Sequence, residues 1–168
     1  MIKALVIAAA MVPLAAQASS LMHVQATCTQ IETQVGKSKS TDYAATLVFD
    51  SSRLGELVVK VNGPDSAYKG ANMIATVKNV ELRRSAAGAQ AMGTALETVR
   101  LRDRVTKYDT FTSVRFDKSS VRLVRMNEYD DVGVYPKRSS KRVVECTPSV
   151  ALGSSEITEL VAKVNDDL

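Results

Sequence analysis

Tryptophan is absent from the 168 residues, histidine occurs once and cysteine twice. One His and two Cys exclude a His-rich metal site and a four-thiolate zinc cluster. Five Tyr and three Phe are too few for a base-stacking surface or an aromatic sugar platform. The chain also lacks H-E-x-x-H, a Gly-rich phosphate loop, G-x-G-x-x-G and a G-x-S-x-G nucleophile elbow. The sole imidazole, His23, has no carboxylate beside it in sequence to make it a general base. These absences point to a protein that is not an enzyme and needs no cofactor.

Long apolar runs are equally scarce. The longest, Ala4 to Ala15, has twelve residues and is interrupted by Pro13, well short of the roughly 20 that span a bilayer. Lys3 precedes it and Ala16-Gln17-Ala18 follows, the small-x-small pattern of a signal-peptidase site. Residues 1–18 are therefore expected to be a cleavable signal peptide. Residues 19–168 are expected to form one domain of a periplasmic or secreted protein, with no transmembrane span after cleavage. In an oxidising compartment two cysteines in one domain most often pair. Cys28 and Cys146, 118 positions apart, are expected to form a structural disulfide. Neither sits in a C-x-x-C pair, and no cation flanks Cys28 to lower its pKa.

What the sequence has in abundance is period-2 alternation with β-branched residues, the mark of strands with one buried face. Val24, Ala26 and Cys28 alternate with polar neighbours, as do Tyr43, Ala45, Leu47 and Phe49. A turn over 50–55 leads to Leu57, Val59 and Val61, and Asn62 to Asp65 stops that run. A further strand is expected over Met73 to Arg84, where the apolar face switches from Ala75 and Val77 to Val80 and Leu82, implying a bulge near Asn79. Ser85 to Thr94 is small and weakly patterned, and is expected to be a connection or a short helical turn. Strands return from Val99 to Val105, Tyr108 to Phe116, Val121 to Glu128 and Lys141 to Thr147, with a turn at 117–120 and a loop at 129–140.

After Gly153 the period changes: Ile157, Leu160, Val161, Val164 and Leu168 form one helical stripe, with Ser154 or Ser155 as cap. The fold class expected is mostly β: an antiparallel barrel-like or sandwich domain of about eight strands with a C-terminal helix, the barrel preferred.

Charge is placed unevenly. Residues 19–82 carry six basic and six acidic side chains, 83–142 fourteen basic and seven acidic, and 143–168 one basic and five acidic. Ten of the fourteen are Arg, whose planar fork suits phosphate and carboxylate. Arg100, Arg102 and Arg104 alternate along one expected strand, and Arg115 and Arg122 lie on its expected neighbours, so these five are the candidate anion- or partner-binding residues of a sheet face. The alternative is that Asp103, Asp109, Asp117 and Glu128 pair with them across strands as an ordinary solvated face. The carboxylates from Glu128 to Gly133 lack calcium-loop spacing, and no metal is expected. An exported protein rarely meets nucleic acid, so the expected partner is an anionic envelope component or an acidic protein surface. The second expectation is a barrel carrying a lipid-like apolar ligand.

Overall fold

The computed structural model describes residues 21–34, 36–53, 55–63, 72–100, 107–130 and 138–165. Eight strands follow one another: β1 (Leu21–Gln34), β2 (Lys37–Asp50), β3 (Leu57–Asn62), β4 (Met73–Ser85), β5 (Gly88–Arg100), β6 (Lys107–Asp117), β7 (Val121–Asp130) and β8 (Arg138–Pro148), then helix α1 (Ser154–Asn165). Each pairs antiparallel with the next, and β8 pairs with β1, so the sheet is a closed barrel. Closure gives every strand a hydrogen-bonded neighbour on both sides. Eight strands also make an interior just wide enough for side chains to fill.

Alternation becomes inside and outside. Leu47 and Phe49 on β2, Val59 and Val61 on β3, Val114 and Phe116 on β6 and Leu123 on β7 are wholly buried. Phe49 and Phe116 meet across the interior with ring centroids 5.0 Å apart. The outward positions between them are mostly Thr, Ser, Lys, Arg, Asp and Glu, the reverse of the apolar-out pattern of a membrane-spanning barrel.

The seam joins the first strand to the last. Cys28 and Cys146 are direct register partners there, Cα atoms 4.0 Å apart, and their sulfurs are bonded. Ser149 extends the seam, its N–H and Oγ both donating to the Gln25 carbonyl.

The expected bulge is present: the β4–β5 register shifts between Lys78 and Glu81, and Asn79 adopts a positive φ of 53°. Asn tolerates this left-handed conformation better than most residues. The shift turns both Val77 and Val80 inward. Gly93 on β5 faces them, and a Cβ there would stand 2.6 Å from Val77 Cγ2 and 3.1 Å from Val80 Cγ2. Both neighbours are β-branched and stiff. Gly93→Ala is therefore expected to lower stability by about 1–3 kcal/mol. A urea midpoint unchanged from the parent would show that the two valines give way.

Two local expectations are corrected. Ser85 to Thr94 is neither a loose connection nor a helical turn: Ala86 and Ala87 make a tight hairpin turn, and β5 begins at Gly88. The small residues Ala89, Ala91 and Gly93 face inward, where space beside the bulge and helix is short, so low side-chain volume hid a buried strand. The helix cap is Gly153 rather than Ser154 or Ser155. The Gly153 carbonyl accepts the first helical bond from Ile157 N–H, and its own N–H donates to Glu156 Oε2 at 2.8 Å, the return half of a capping box. Ser154 Oγ is engaged elsewhere, accepting from Ala89 N–H at 3.3 Å. With Ile157, Leu160, Val161 and Val164 in the core and Asn165 Nδ2 donating to the Val80 carbonyl, α1 packs along β4 and β5 from the β4–β5 turn.

Candidate basic mouth of the barrel

The inward face of five strands changes character at the same level along the barrel axis. On β1, Ala26 and Cys28 give way to Gln30 and Glu32. On β2, reading backwards, Leu47, Ala45 and Tyr43 give way to Thr41 and Lys39. On β6, Phe116 and Val114 give way to Thr112 and Thr110; on β7, Leu123 to Arg125 and Asn127; on β8, Cys146 and Val144 to Arg142 and Ser140. The register brings these together. Thr112, Arg125, Arg142, Glu32 and Lys39 are successive cross-strand partners from β6 through β7, β8 and β1 to β2. One position further out, Thr110, Asn127, Ser140, Gln34 and Lys37 repeat the alignment.

This outer ring is hydrogen-bonded. Thr110 Oγ1 donates to Asn127 Oδ1 at 2.9 Å, and Asn127 Nδ2 donates to Ser140 Oγ at 3.3 Å. The members of the two rings on β1, β2, β7 and β8, with Thr33, Ser38 and Lys141 beside them, line a cleft of about 490 Å³ at the end of the barrel away from the β4–β5 turn. Among the described residues, Lys37, Lys39, Arg125, Lys141 and Arg142 line it, with Glu32 as the one carboxylate. Five cations against one anion give these described lining residues a surplus of four positive charges. A concave wall of low dielectric focuses such a charge into the opening.

Within the mouth the charges are unequally matched. Arg142 is ion-paired with Glu32. Arg125, directly opposite Arg142, has no carboxylate within ion-pair distance among the described residues. Like charges placed directly opposite on a sheet repel, so the Arg125–Arg142 pair favours a counter-anion. Deeper in, the Tyr43 hydroxyl and Gln30 Oε1 are buried without a hydrogen-bond partner. Burial pushes the Tyr43 phenol above its usual pKa, and the Arg142 charge opposes that rise, which places the phenol within electrostatic reach of the guanidinium.

Of the five arginines singled out in the sequence, Arg115 and Arg122 are the two whose side chains are described. Arg115 and Arg122 are direct partners on the outside of β6 and β7, but each has a neighbour that satisfies it. Arg122 Nε lies 3.1 Å from Glu145 Oε1. With the Gln90 amide oriented to satisfy both groups, its Oε1 accepts from Arg115 Nε at 3.2 Å and Nη2 at 3.0 Å. Arg100 ends β5, with its backbone opposite Lys107, and Arg102 and Arg104 lie outside the described residues. The counter-charge of Arg122, Glu145, is not one of the carboxylates expected to pair with these arginines. Asp103 lies outside the described residues. Partial burial works against the Asp117 carboxylate, but hydrogen bonds from Ser119 and Ser120 outweigh it and hold its pKa below the usual value. Asp117 thus orders the β6–β7 turn.

The inward cations Lys37, Lys39, Arg125 and Arg142 were not among the residues singled out. A signal for them exists: each lies at even spacing beyond an apolar run, on the parity of a buried face. Comparison with known proteins returns no matching family model, no similar curated protein and no similar solved structure. The class that fold and site define is a closed eight-stranded antiparallel barrel, disulfide-linked at its seam, with one apolar and one basic end.

Proposed function

We propose that this chain is an exported, non-catalytic binding protein that engages an anionic envelope component through the basic mouth of its barrel. The concentration of five cations around one carboxylate among the described residues of a single cleft carries it. On the outer face Glu145 neutralises Arg122, while Arg115 keeps its charge and bonds the neutral Gln90 amide, so less positive charge is concentrated there than in the cleft. The lipid-carrier alternative has less support, because the apolar half of the interior is occupied by Leu47, Phe49, Val114, Phe116 and Leu123, all without accessible surface. Export accords with the leader-like residues 1–18 and with a disulfide of the kind that persists in oxidising compartments.

The test is sedimentation with vesicles containing phosphatidylglycerol, against neutral phosphatidylcholine vesicles, over a salt series. Binding is expected to the anionic vesicles only and to weaken steeply with salt. Each basic residue near an anionic surface contributes about 1 kcal/mol. Lys37→Gln with Arg125→Gln is therefore expected to weaken binding by roughly 30-fold. Arg115→Gln with Arg122→Gln is expected to leave it unchanged. Equal binding by the mouth variant overturns a role for the mouth, and loss of binding in the outer-face variant instead returns the site to the sheet.

A further inference from the structure

We propose that the anion held at the mouth is a phosphate dianion, a phosphomonoester or inorganic phosphate, gripped between Arg125 of β7 and Arg142 of β8. This rests on the mouth being the binding site and names its chemistry. The two guanidinium-bearing residues are direct cross-strand partners, both on the inward face and both lining the same cleft. Glu32 already gives Arg142 a carboxylate from the β1 side, so the surplus charge lies on the other flank, at Arg125.

A second monocarboxylate there would neutralise one positive charge and occupy one fork. A phosphate dianion carries three terminal oxygens and close to two charges at neutral pH. It can receive a two-pronged guanidinium contact from Arg125 and still present an oxygen to Arg142. The neighbouring donors are short and polar rather than charged: Ser140 and Asn127 lie in the next ring, already tied to one another. A tetrahedral group seated among them exchanges water contacts for several charge-assisted ones. Beneath it, the buried Tyr43 hydroxyl and the Gln30 amide oxygen lack partners. A cleft of about 490 Å³ falls in the size range of small-molecule sites, ample for a phosphorylated head group.

Phosphate of this kind reaches an exported protein free in solution or as the exposed head of a lipid, and two arms separate the sources. In the first, the mature chain is titrated with inorganic phosphate and, at matched ionic strength, with acetate, followed by calorimetry. Phosphate is expected to bind at least tenfold more tightly than acetate. Loss of a charge-assisted contact in Arg125→Met is expected to weaken it roughly 10- to 100-fold. Arg125→Lys, which keeps the charge but not the fork, is expected to fall between the two, and Arg122→Met to match the parent. In the second arm, vesicles containing phosphatidic acid, a monoester, are compared with phosphatidylglycerol vesicles, a diester, at equal surface charge.

Preference for phosphate over acetate that depends on Arg125 assigns a free-phosphate source. Preference for phosphatidic acid alone, again dependent on Arg125, assigns a lipid head group. Equal binding of phosphate and acetate, and of the two lipids, overturns the phosphate site while leaving a general anion-binding mouth. Binding of none of the four overturns both. Far-UV circular dichroism and a thermal scan of each variant show whether a loss comes from unfolding; Arg125 is exposed at the rim, and Arg125→Lys preserves its stem.

Discussion

Replacing Cys28 and Cys146 together by Ala is expected to lower the unfolding free energy by about 2–5 kcal/mol, with the larger value favoured by the long loop the bridge closes. The reason lies in the seam. Seven of the eight strand pairs join consecutive strands, whereas β1 and β8 meet only if the whole chain has curled back on itself. The bridge spans 118 positions and sits within a seam of nine paired residues on each strand, from Ala26–Pro148 to Gln34–Ser140. In the unfolded chain it removes much of the entropy that seam closure would otherwise cost. For a domain of this size the melting temperature is expected to fall on the order of 10 °C. Urea unfolding of the parent and the double variant, both under non-reducing conditions, measures it. A difference below about 1 kcal/mol would show that seam hydrogen bonds and core packing close the barrel without covalent help.

Phe116→Ala is expected to cost about 3–5 kcal/mol, the range for deleting a buried aromatic ring. Phe116 has no exposed surface and stands against Phe49 with the ring planes inclined at 54°, a tilted arrangement that contributes beyond simple burial. Its register partners, Ala91 on β5 and Val121 on β7, are both smaller. A rigid closed sheet has little freedom to collapse into the space, so most of the cavity term is expected to remain. Phe111→Ala provides the contrast. It sits on the same strand with opposite parity and is 37% exposed, and its truncation is expected to cost less than about 1.5 kcal/mol. Chemical denaturation of both variants decides it, and similar losses would show that the inside–outside assignment of β6 is wrong.

The same parity explains how much of the fold was legible beforehand. Alternation over Tyr43 to Phe49, Leu57 to Val61 and Tyr108 to Phe116 reports strands with one dry face, because successive side chains on a strand point to opposite sides. The face switch after Val77 locates the bulge, and the three- and four-residue spacing from Ile157 to Val164 locates the helix, which the structure places at those positions. Where the pattern failed, the cause was volume or competition. Ala89, Ala91 and Gly93 carry too little apolar surface to announce a buried strand. Ser154 is a good cap by composition, but its hydroxyl is taken by Ala89 of a neighbouring strand.

The candidate site was legible only in its charge. An excess of arginine between residues 83 and 142 is a property of the chain. Which of those cations face one another is a property of the register, and Lys37 and Lys39, essential to the mouth, come from the part of the chain with no net charge. Arg122 and Arg125 stand three residues apart on β7 and so lie on opposite faces of the sheet, one paired with Glu145 outside, the other lining the cleft within.

Most local order in this protein follows from the sequence by itself: the strands other than β5, the bulge, the helix and the pairing of two cysteines, since each depends on side-chain period or on there being one possible partner. The closure of β8 onto β1, and with it the ring of charges drawn from β1, β2, β7 and β8, was decided only by the tertiary structure. The physical reason is that a barrel sets residues more than a hundred positions apart side by side. The Arg125–Arg142 pair needs only the β7–β8 hairpin, but the ion pair from Glu32 to Arg142 exists only once the seam has formed.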